Sequence, residues 1–111
     1  MERLFVISLS ALLTFCSCHK AIVKKTPSCI TGKINDFHDD ACSVGANVKK
    51  YIFQNASVFV FDPGMCGADM TSAVLDANCN ALGHLGGITG NTSINGEDFG
   101  NAELQETIWT N

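Results

Sequence analysis

The chain has 111 residues and a formal net charge of −4, which bounds it to one small, mildly acidic domain. Its basic residues all lie in the first half, and from Tyr51 to Asn111 there are seven acids but no Lys or Arg. A nucleic-acid-binding protein needs a basic surface to neutralise phosphates. The composition therefore excludes nucleic acid as a partner.

The first residues have the pattern of a lipoprotein signal peptide. An apolar stretch from Leu4 to Phe15 follows a charged amino terminus, and it is too short to span a bilayer, which takes roughly 20 residues. Cys18 follows it after a small residue, the position at which lipoproteins are acylated. We therefore predict that residues 1–17 are the signal peptide and that Cys18 is lipidated. Cys16 is the alternative acceptor, disfavoured because bulky Phe15 precedes it.

A basic segment, residues 18–27, then tethers the membrane anchor to a single domain, residues 28–111. Several acyl chains hold a protein stably, whereas one chain alone is marginal. His19 and Lys20 replace the acidic run that accompanies surface export in similar lipoproteins. We therefore expect attachment to the outer membrane, facing the periplasm.

The first predicted element of the domain is a helix. Pro27 precedes it and Ser28 is the predicted N-cap. Ile30, Ile34 and Phe37 recur at helical spacing and give the helix one apolar face. The sequence HDDACSVGAN is expected to end it.

Strands are predicted along the rest of the chain. The segments Val48–Gln54 and Ser57–Phe61 form a predicted antiparallel hairpin, turned by Asn55 and Ala56, whose second strand is apolar enough to be central. Three further strands are predicted at Thr71–Leu75, Leu82–Leu85 and Leu104–Thr110. The predicted fold class is α+β, with one amino-terminal helix packed on a small antiparallel sheet and stapled by disulfides. Trp109 is expected in the core.

Four cysteines remain in the exported part of the chain, and an even number there indicates disulfides. Three pairings are possible. We favour Cys29–Cys42 and Cys66–Cys79, because each closes a short loop of the same span, worth on the order of 3 kcal/mol. Zinc is disfavoured because no two of these cysteines have the usual separation of two to four residues.

Three stretches resemble one family of small exported proteins. These are the hairpin from Tyr51 to Phe61, the turn from Leu75 to Asn80 and the GGITG element from Gly86 to Gly90. The family is common among Bacteroidota lipoproteins and is described only as a domain of unknown function. The resemblance implies a helix, a hairpin and a cysteine-bearing loop, and it implies no activity. The chain departs from the family pattern at Cys79, which stands near the usual glycine.

The glycine-rich stretch from Gly83 to Gly100 is a candidate phosphate-binding or cation-binding loop. No lysine follows its glycines as in a Walker loop, and their spacing differs from the dinucleotide fingerprint. Calcium needs converging oxygen ligands, and two sets are candidates: Asp76, Asn78 and Asn80, or Asn91, Asn95, Glu97 and Asp98. The first set lacks the glycine and glutamate of an EF-hand loop. We predict a structural loop that holds no metal tightly, because its acids are too few and too irregularly spaced for a known cage. Its glycines are explained by turns, where they reach positive φ.

His84 lies in this stretch, and we expect it to be a structural histidine. A general base needs a partner and a pocket, and no Gly-x-Ser-x-Gly elbow or neighbouring histidine accompanies it. We therefore predict no catalytic residue, no cofactor and no enzymatic activity.

The leading hypothesis is a lipid-anchored, non-enzymatic binding or structural module of the cell envelope. An accessory or inhibitory partner of another envelope protein is the second hypothesis, and a small hydrolase is the third. An exposed apolar patch would favour the second, and polar groups converging on His84 would favour the third.

Overall fold

A computed structural model of the protein describes residues 22–111. The predicted signal peptide, Cys18 and the first part of the tether lie outside the described residues. Within residues 22–111, no helix has the length and apolar character needed to cross a membrane. A short 3-10 helix lies at Phe99–Asn101, and the remaining elements are α1 (Ser28–Asp40), β1 (Asn47–Phe53), β2 (Ala56–Asp62), β3 (Thr71–Asp76), β4 (Ala81–Gly86), β5 (Ser93–Ile94), β6 (Glu97–Asp98) and β7 (Glu103–Thr110).

The predicted helix is confirmed, but its cap is not. Pro27 occupies the N-cap position and Ser28 is already helical, so the first turn has no side-chain cap. The Pro27 carbonyl instead accepts a hydrogen bond from the Thr31 N–H at 3.0 Å. Ile30 and Ile34 are buried, as their helical spacing predicts.

The sheet has five antiparallel strands in the order β4-β3-β2-β1-β7. β2 lies at the centre, as its apolar density predicts. The hairpin between β1 and β2 turns at Gln54 and Asn55, one residue earlier than predicted. Both residues have positive φ, 52° and 64°, which is the conformation of the two-residue turn that matches strand twist.

The two faces of the sheet are covered by different parts of the chain. Phe59 and Phe61 of β2 point to the face that α1 covers. Val58 and Val60 point to the opposite face, where Ile94 packs. Because successive side chains of a strand point to opposite faces, a central strand covered on both sides is apolar throughout. Trp109 lies in the helix-face core, which confirms its predicted burial.

The disulfides join Cys29 to Cys79 and Cys42 to Cys66, with Cα–Cα distances of 6.1 and 5.7 Å. The four cysteines are therefore disulfide-bonded as predicted, but the predicted local pairing is wrong. A helix of 13 residues is about 20 Å long, and α1 separates Cys29 from Cys42 by its whole length. Each helix end is thus bonded to a different end of the sheet.

These two ends of the sheet define the molecule's poles. The turn end carries the turns at residues 54–55 and 77–80, where Cys79 lies. The loop end carries residues 41–46, 63–70 and 87–92, which connect α1 to β1, β2 to β3 and β4 to β5. α1 runs from the turn end to the loop end.

The stretch from Gly83 to Gly100 is not a single loop. Its first four residues belong to β4, and residues 93–98 form the small hairpin of β5 and β6. Asn95 and Gly96 turn this hairpin with φ of 51° and 79°. Residues 87–102, called the covering segment below, thereby fold back over the sheet face opposite α1.

Candidate functional site

A cleft opens beside the helix on one face of the sheet. Ile30 and Ile34 pack on side chains of β1, β2 and β7, which leaves Ala73 and Leu75 of β3 only half-buried. The resulting cleft between α1 and β3–β4 has a volume of about 380 Å³. Apolar side chains form its floor, and its polar lining consists of Lys33, Asp36, Asp40, Thr71 and His84.

His84 is the one histidine among the residues that line this cleft. Whether it can act as a base depends on the groups around its imidazole. It lies on β4 opposite Ala73, and its side chain is exposed. Within residues 22–111 its imidazole makes no hydrogen bond or ion pair to another residue. A catalytic histidine is held by an orienting group and faces a nucleophile. Charged side chains share the cleft with His84, but among residues 22–111 none of them orients its imidazole.

A second hollow, the aromatic groove, lies on the opposite face between the covering segment and β1. Tyr51 and Phe99 meet edge to face at its base, with ring centroids 5.1 Å apart and an interplanar angle of 67°. Phe53 supports Phe99 from below at 4.9 Å. The groove has a volume of about 550 Å³, and its other lining includes Leu85, Ala102, Asn91, Thr92 and Asp98.

Short-range hydrogen bonds place Phe99 over the sheet. Asp98 Oδ1 accepts from the Gly100 N–H at 2.8 Å and so begins the 3-10 turn. The Ala102 N–H donates to the Phe99 carbonyl at 3.0 Å, and the Phe99 N–H donates to the Thr92 carbonyl at 2.8 Å. Because these bonds close the turn on both sides, the ring of Phe99 is held against Tyr51 and Phe53.

Two glycines let the covering segment approach the sheet this closely. A Cβ at Gly83 would come within 3.0 Å of Ile94 Cδ1, the side chain that fills the space under the segment. At Gly87, where φ is +83°, a Cβ would lie 2.8 Å from Thr71 Cγ2. The glycines therefore serve close packing and turns, as predicted for a structural segment.

The first predicted calcium set is a hydrogen-bonded turn. Asp76 Oδ1 accepts from the N–H groups of Asn78 and Asn80 at 2.8 and 2.9 Å, and its Oδ2 accepts from Asn80 Nδ2 at 3.1 Å. These bonds, with the Asn80 N–H foremost, hold the pKa of Asp76 below its usual value of 3.8. The turn sets Cys79 at φ +67°, a conformation that glycine usually takes.

The second predicted calcium set is also engaged in local bonds. Glu97 accepts from Gln54 Nε2 at 3.1 Å and from Asn101 Nδ2 at 3.0 Å. Asn91 Nδ2 donates to the carbonyls of His84 and Ser93 at 2.7 and 2.9 Å. Within residues 22–111, no group of three or more acidic, His or Cys side chains has a metal-holding arrangement. The absence of a tightly held metal stays a prediction.

Two features of the surface were missed by sequence reasoning. The partner of Tyr51 in the groove is Phe99, 48 positions along the chain. Large apolar side chains also project at the loop end, where Val44, Met65 and Ile88 are 79%, 92% and 82% exposed. Single apolar residues in glycine-rich loops are the only sequence feature that could have indicated them.

Comparison with known proteins gives one match. A family model, Domain of unknown function (DUF6970), matches residues 32–111 and so includes the aromatic groove and the Cys42–Cys66 bridge. No curated protein and no solved structure matches the chain. The match covers most of the chain, and the protein therefore belongs to the DUF6970 family.

Proposed function

We propose that this protein is a lipid-anchored, non-enzymatic binding module of the cell envelope and that the aromatic groove is its recognition surface. The observation that carries the proposal is the Tyr51–Phe99 pair at the base of an open groove. Aromatic floors with a few placed polar groups are typical of ligand sites. At this rim Asn91, Thr92 and Asp98 supply donors and acceptors. A ligand with an apolar face and hydroxyl or amide groups fits this chemistry.

Rigidity of the groove supports binding because a preformed site loses less entropy when it captures a ligand. Phe53, which backs the aromatic pair, is buried, and so is Ile94 under the covering segment. The Gly86 and Asn91 backbones exchange two hydrogen bonds at 2.9 and 3.2 Å, which closes the loop that forms one wall.

Binding is favoured over catalysis by the contrast between the two hollows. In the helix-face cleft, the imidazole of His84 is not oriented by any other described side chain. In the aromatic groove, both rings are positioned by packing and by the turn at Asp98. Positioned groups are what recognition requires.

Anchoring in the envelope completes the proposal. It rests on the signal-peptide pattern of residues 1–17 and on Cys18 as the lipidated residue. Two disulfides add support, since disulfides persist in oxidising compartments such as the periplasm. The proposed location is the outer membrane, with the domain facing the periplasm.

The groove is tested by ligand-observed NMR with the full chain and a panel of soluble cell-wall saccharides and peptides. We expect at least one compound to bind the native chain and to lose binding in Tyr51→Leu, which keeps apolar packing against Phe99 but removes the ring. The matched control is His84→Gln, an exposed site in the other hollow. Binding that survives Tyr51→Leu but not His84→Gln would refute the groove as the site.

The anchor is tested separately by expressing Cys18→Ala and fractionating the cells. The native chain is expected in membranes with an acylated amino terminus, and the variant is expected to lack the lipid. Lipid found on the variant would show that Cys18 is not the acceptor. Cys16→Ala is the matched control and should leave acylation unchanged.

A further inference from the structure

The loop end of the molecule presents large apolar side chains to solvent. Val44, Met65 and Ile88 are each more than three-quarters exposed, and each lies in a different one of the three loops there. Among residues 22–111 the only other exposed large hydrophobic side chain is Leu104, 55% exposed and near the turn end. Single exposed apolar residues are normal on a protein surface, but three of them in loops that are joined to one another form a candidate interaction surface.

The three loops are joined to one another by a disulfide and by backbone hydrogen bonds. The Cys42–Cys66 bridge and the Cys42 N–H bond to the Pro63 carbonyl at 2.9 Å join the first loop to the second. The Gly87 N–H donates to the Met70 carbonyl at 3.2 Å and joins the second loop to the third. The backbones of the loops that carry the three apolar side chains are therefore tied to one another.

The chain enters the domain near this same end. The Val23 N–H donates to the Ile108 carbonyl at 3.2 Å. Ile108 lies two positions before Thr110, which pairs with Asn47 at the loop end of the sheet. Two strand residues span about 7 Å, so the entry point of the tether is close to the loop end.

The tether is short compared with the domain. Cys18 precedes Ile22 by four residues, and four residues reach at most about 14 Å. Ile22 itself packs against the helix-face core. A lipid on Cys18 would therefore hold the entry point within about that distance of the bilayer surface, with the loop end of the sheet nearby.

We propose that the loop end rests on the bilayer and inserts Val44, Met65 and Ile88 into its interfacial region. The inference depends on the proposed lipid anchor at Cys18. Residues 41–46, 63–70 and 87–92 contain no Lys or Arg and one acid, Asp69. Attraction to anionic headgroups is therefore absent from this surface, and insertion relies on apolar burial. The loop end itself therefore fits a zwitterionic surface, and any salt dependence comes from the basic tether with Lys20, Lys24 and Lys25.

Fluorescence quenching by brominated lipid tests the contact. The lipidated full chain carries Ile88→Trp in a Trp109→Phe background, which leaves one tryptophan, and is reconstituted in vesicles of phosphatidylcholine with brominated acyl chains. We expect several-fold quenching relative to unbrominated vesicles, equal at low and high salt. The matched control, Leu104→Trp in the same background, should remain unquenched because it lies near the opposite end.

A second measurement uses the native chain and does not depend on these substitutions. Peroxide oxidises exposed methionines, and Met65 is 92% exposed. We expect oxidation of Met65 to be several-fold slower in the vesicle-bound chain than in the unlipidated Cys18→Ala chain in buffer.

The possible outcomes distinguish a failure of the bilayer contact from a failure of the lipid anchor. A chain that floats with vesicles while Ile88→Trp is unquenched and Met65 reacts freely retains its anchor but overturns the bilayer contact. Protection of Met65 in native membranes but not in pure lipid vesicles also overturns it, since the surface would then bind a protein. Failure of the chain to float with vesicles overturns both.

Discussion

The two faces of the central sheet are covered by different means. On one face lies α1, bonded covalently to both ends of the sheet through Cys29 and Cys42. On the other lies the covering segment, residues 87–102, which contains no cysteine and has only two short strands and a 3-10 turn. Both covers bury large apolar side chains, but only one of them is stapled.

The helix itself explains why its face carries the staples. α1 has no acid in its first turn and no side-chain cap, while Asp39 and Asp40 stand in its last turn. Acids at a helix carboxyl end oppose the macrodipole, and Gly32 weakens the helix further. Helices of this length are marginal alone. The disulfides hold in place an element that its own sequence stabilises poorly.

The covering segment is held against its face of the sheet by local hydrogen bonds. Asn91 and Asp98 satisfy backbone groups within a few residues, and Ile94 is buried to 1% exposure beneath the segment. A cover rich in turns is thus held by satisfied polar groups and one buried side chain, Ile94, whereas the regular helix needs crosslinks.

The largest effects are expected from removing the staples. Cys29→Ala with Cys79→Ala opens a loop with a sequence separation of 50, and Cys42→Ala with Cys66→Ala opens one of 24. Loop entropy predicts losses of about 4 and about 3.5 kcal/mol in the free energy of unfolding, measured by denaturant unfolding. A midpoint unchanged in either double variant would show that α1 does not depend on that staple.

The buried side chain of Ile94 should come next. Ile94→Ala is expected to lower the free energy of unfolding by about 3 kcal/mol, because it leaves a cavity beneath the covering segment. Ile34→Ala on the helix face should cost a similar amount. Hydrogen exchange distinguishes the two, since residues 87–102 should exchange faster only in Ile94→Ala. Equal exchange of the covering segment in both variants would contradict independent covering of the faces.

A smaller effect is expected from the bond that ties the segment to β4. Asn91→Ala removes two hydrogen bonds to the carbonyls of His84 and Ser93, and it should cost about 1 kcal/mol. Thr89→Ala, an exposed site in the same loop, should change stability by less than about 0.5 kcal/mol. Thermal unfolding of both variants checks the difference, and equal melting temperatures would show that the side chain of Asn91 does not stabilise the fold.

The smallest expected effect is the loss at low pH of the stability that the ionised Asp76 contributes. The pKa of Asp76 is lowered in the folded protein by hydrogen bonds from Asn80 and Asn78, so its ionised form stabilises the fold. That contribution is complete above the usual pKa of 3.8 and is lost as pH falls through the lower folded pKa. Comparing melts of the native chain and Asp76→Asn should show a difference that shrinks below pH 3.8. A constant difference would contradict the assignment.

The local elements of this protein could be predicted from its sequence alone. The spacing of Ile30 and Ile34 predicted α1, alternation predicted the hairpin of β1 and β2, and the unbroken apolar run of β2 predicted its central place. These features follow from the periodicity of apolar residues, which is a property of neighbouring residues within one helix or strand. The family match from residue 32 onward adds membership but no activity.

Contacts between residues distant in the chain could not be predicted in this way, because they depend on the packing of the elements. The disulfide pairing depended on α1 carrying its two cysteines to opposite ends of the sheet. The groove depended on the covering segment bringing Phe99 to Tyr51. The loop end depended on strand directions that collect Val44, Met65 and Ile88 at one pole. Periodicity reports which face a residue occupies within its own element, whereas contacts between elements depend on how the whole chain packs.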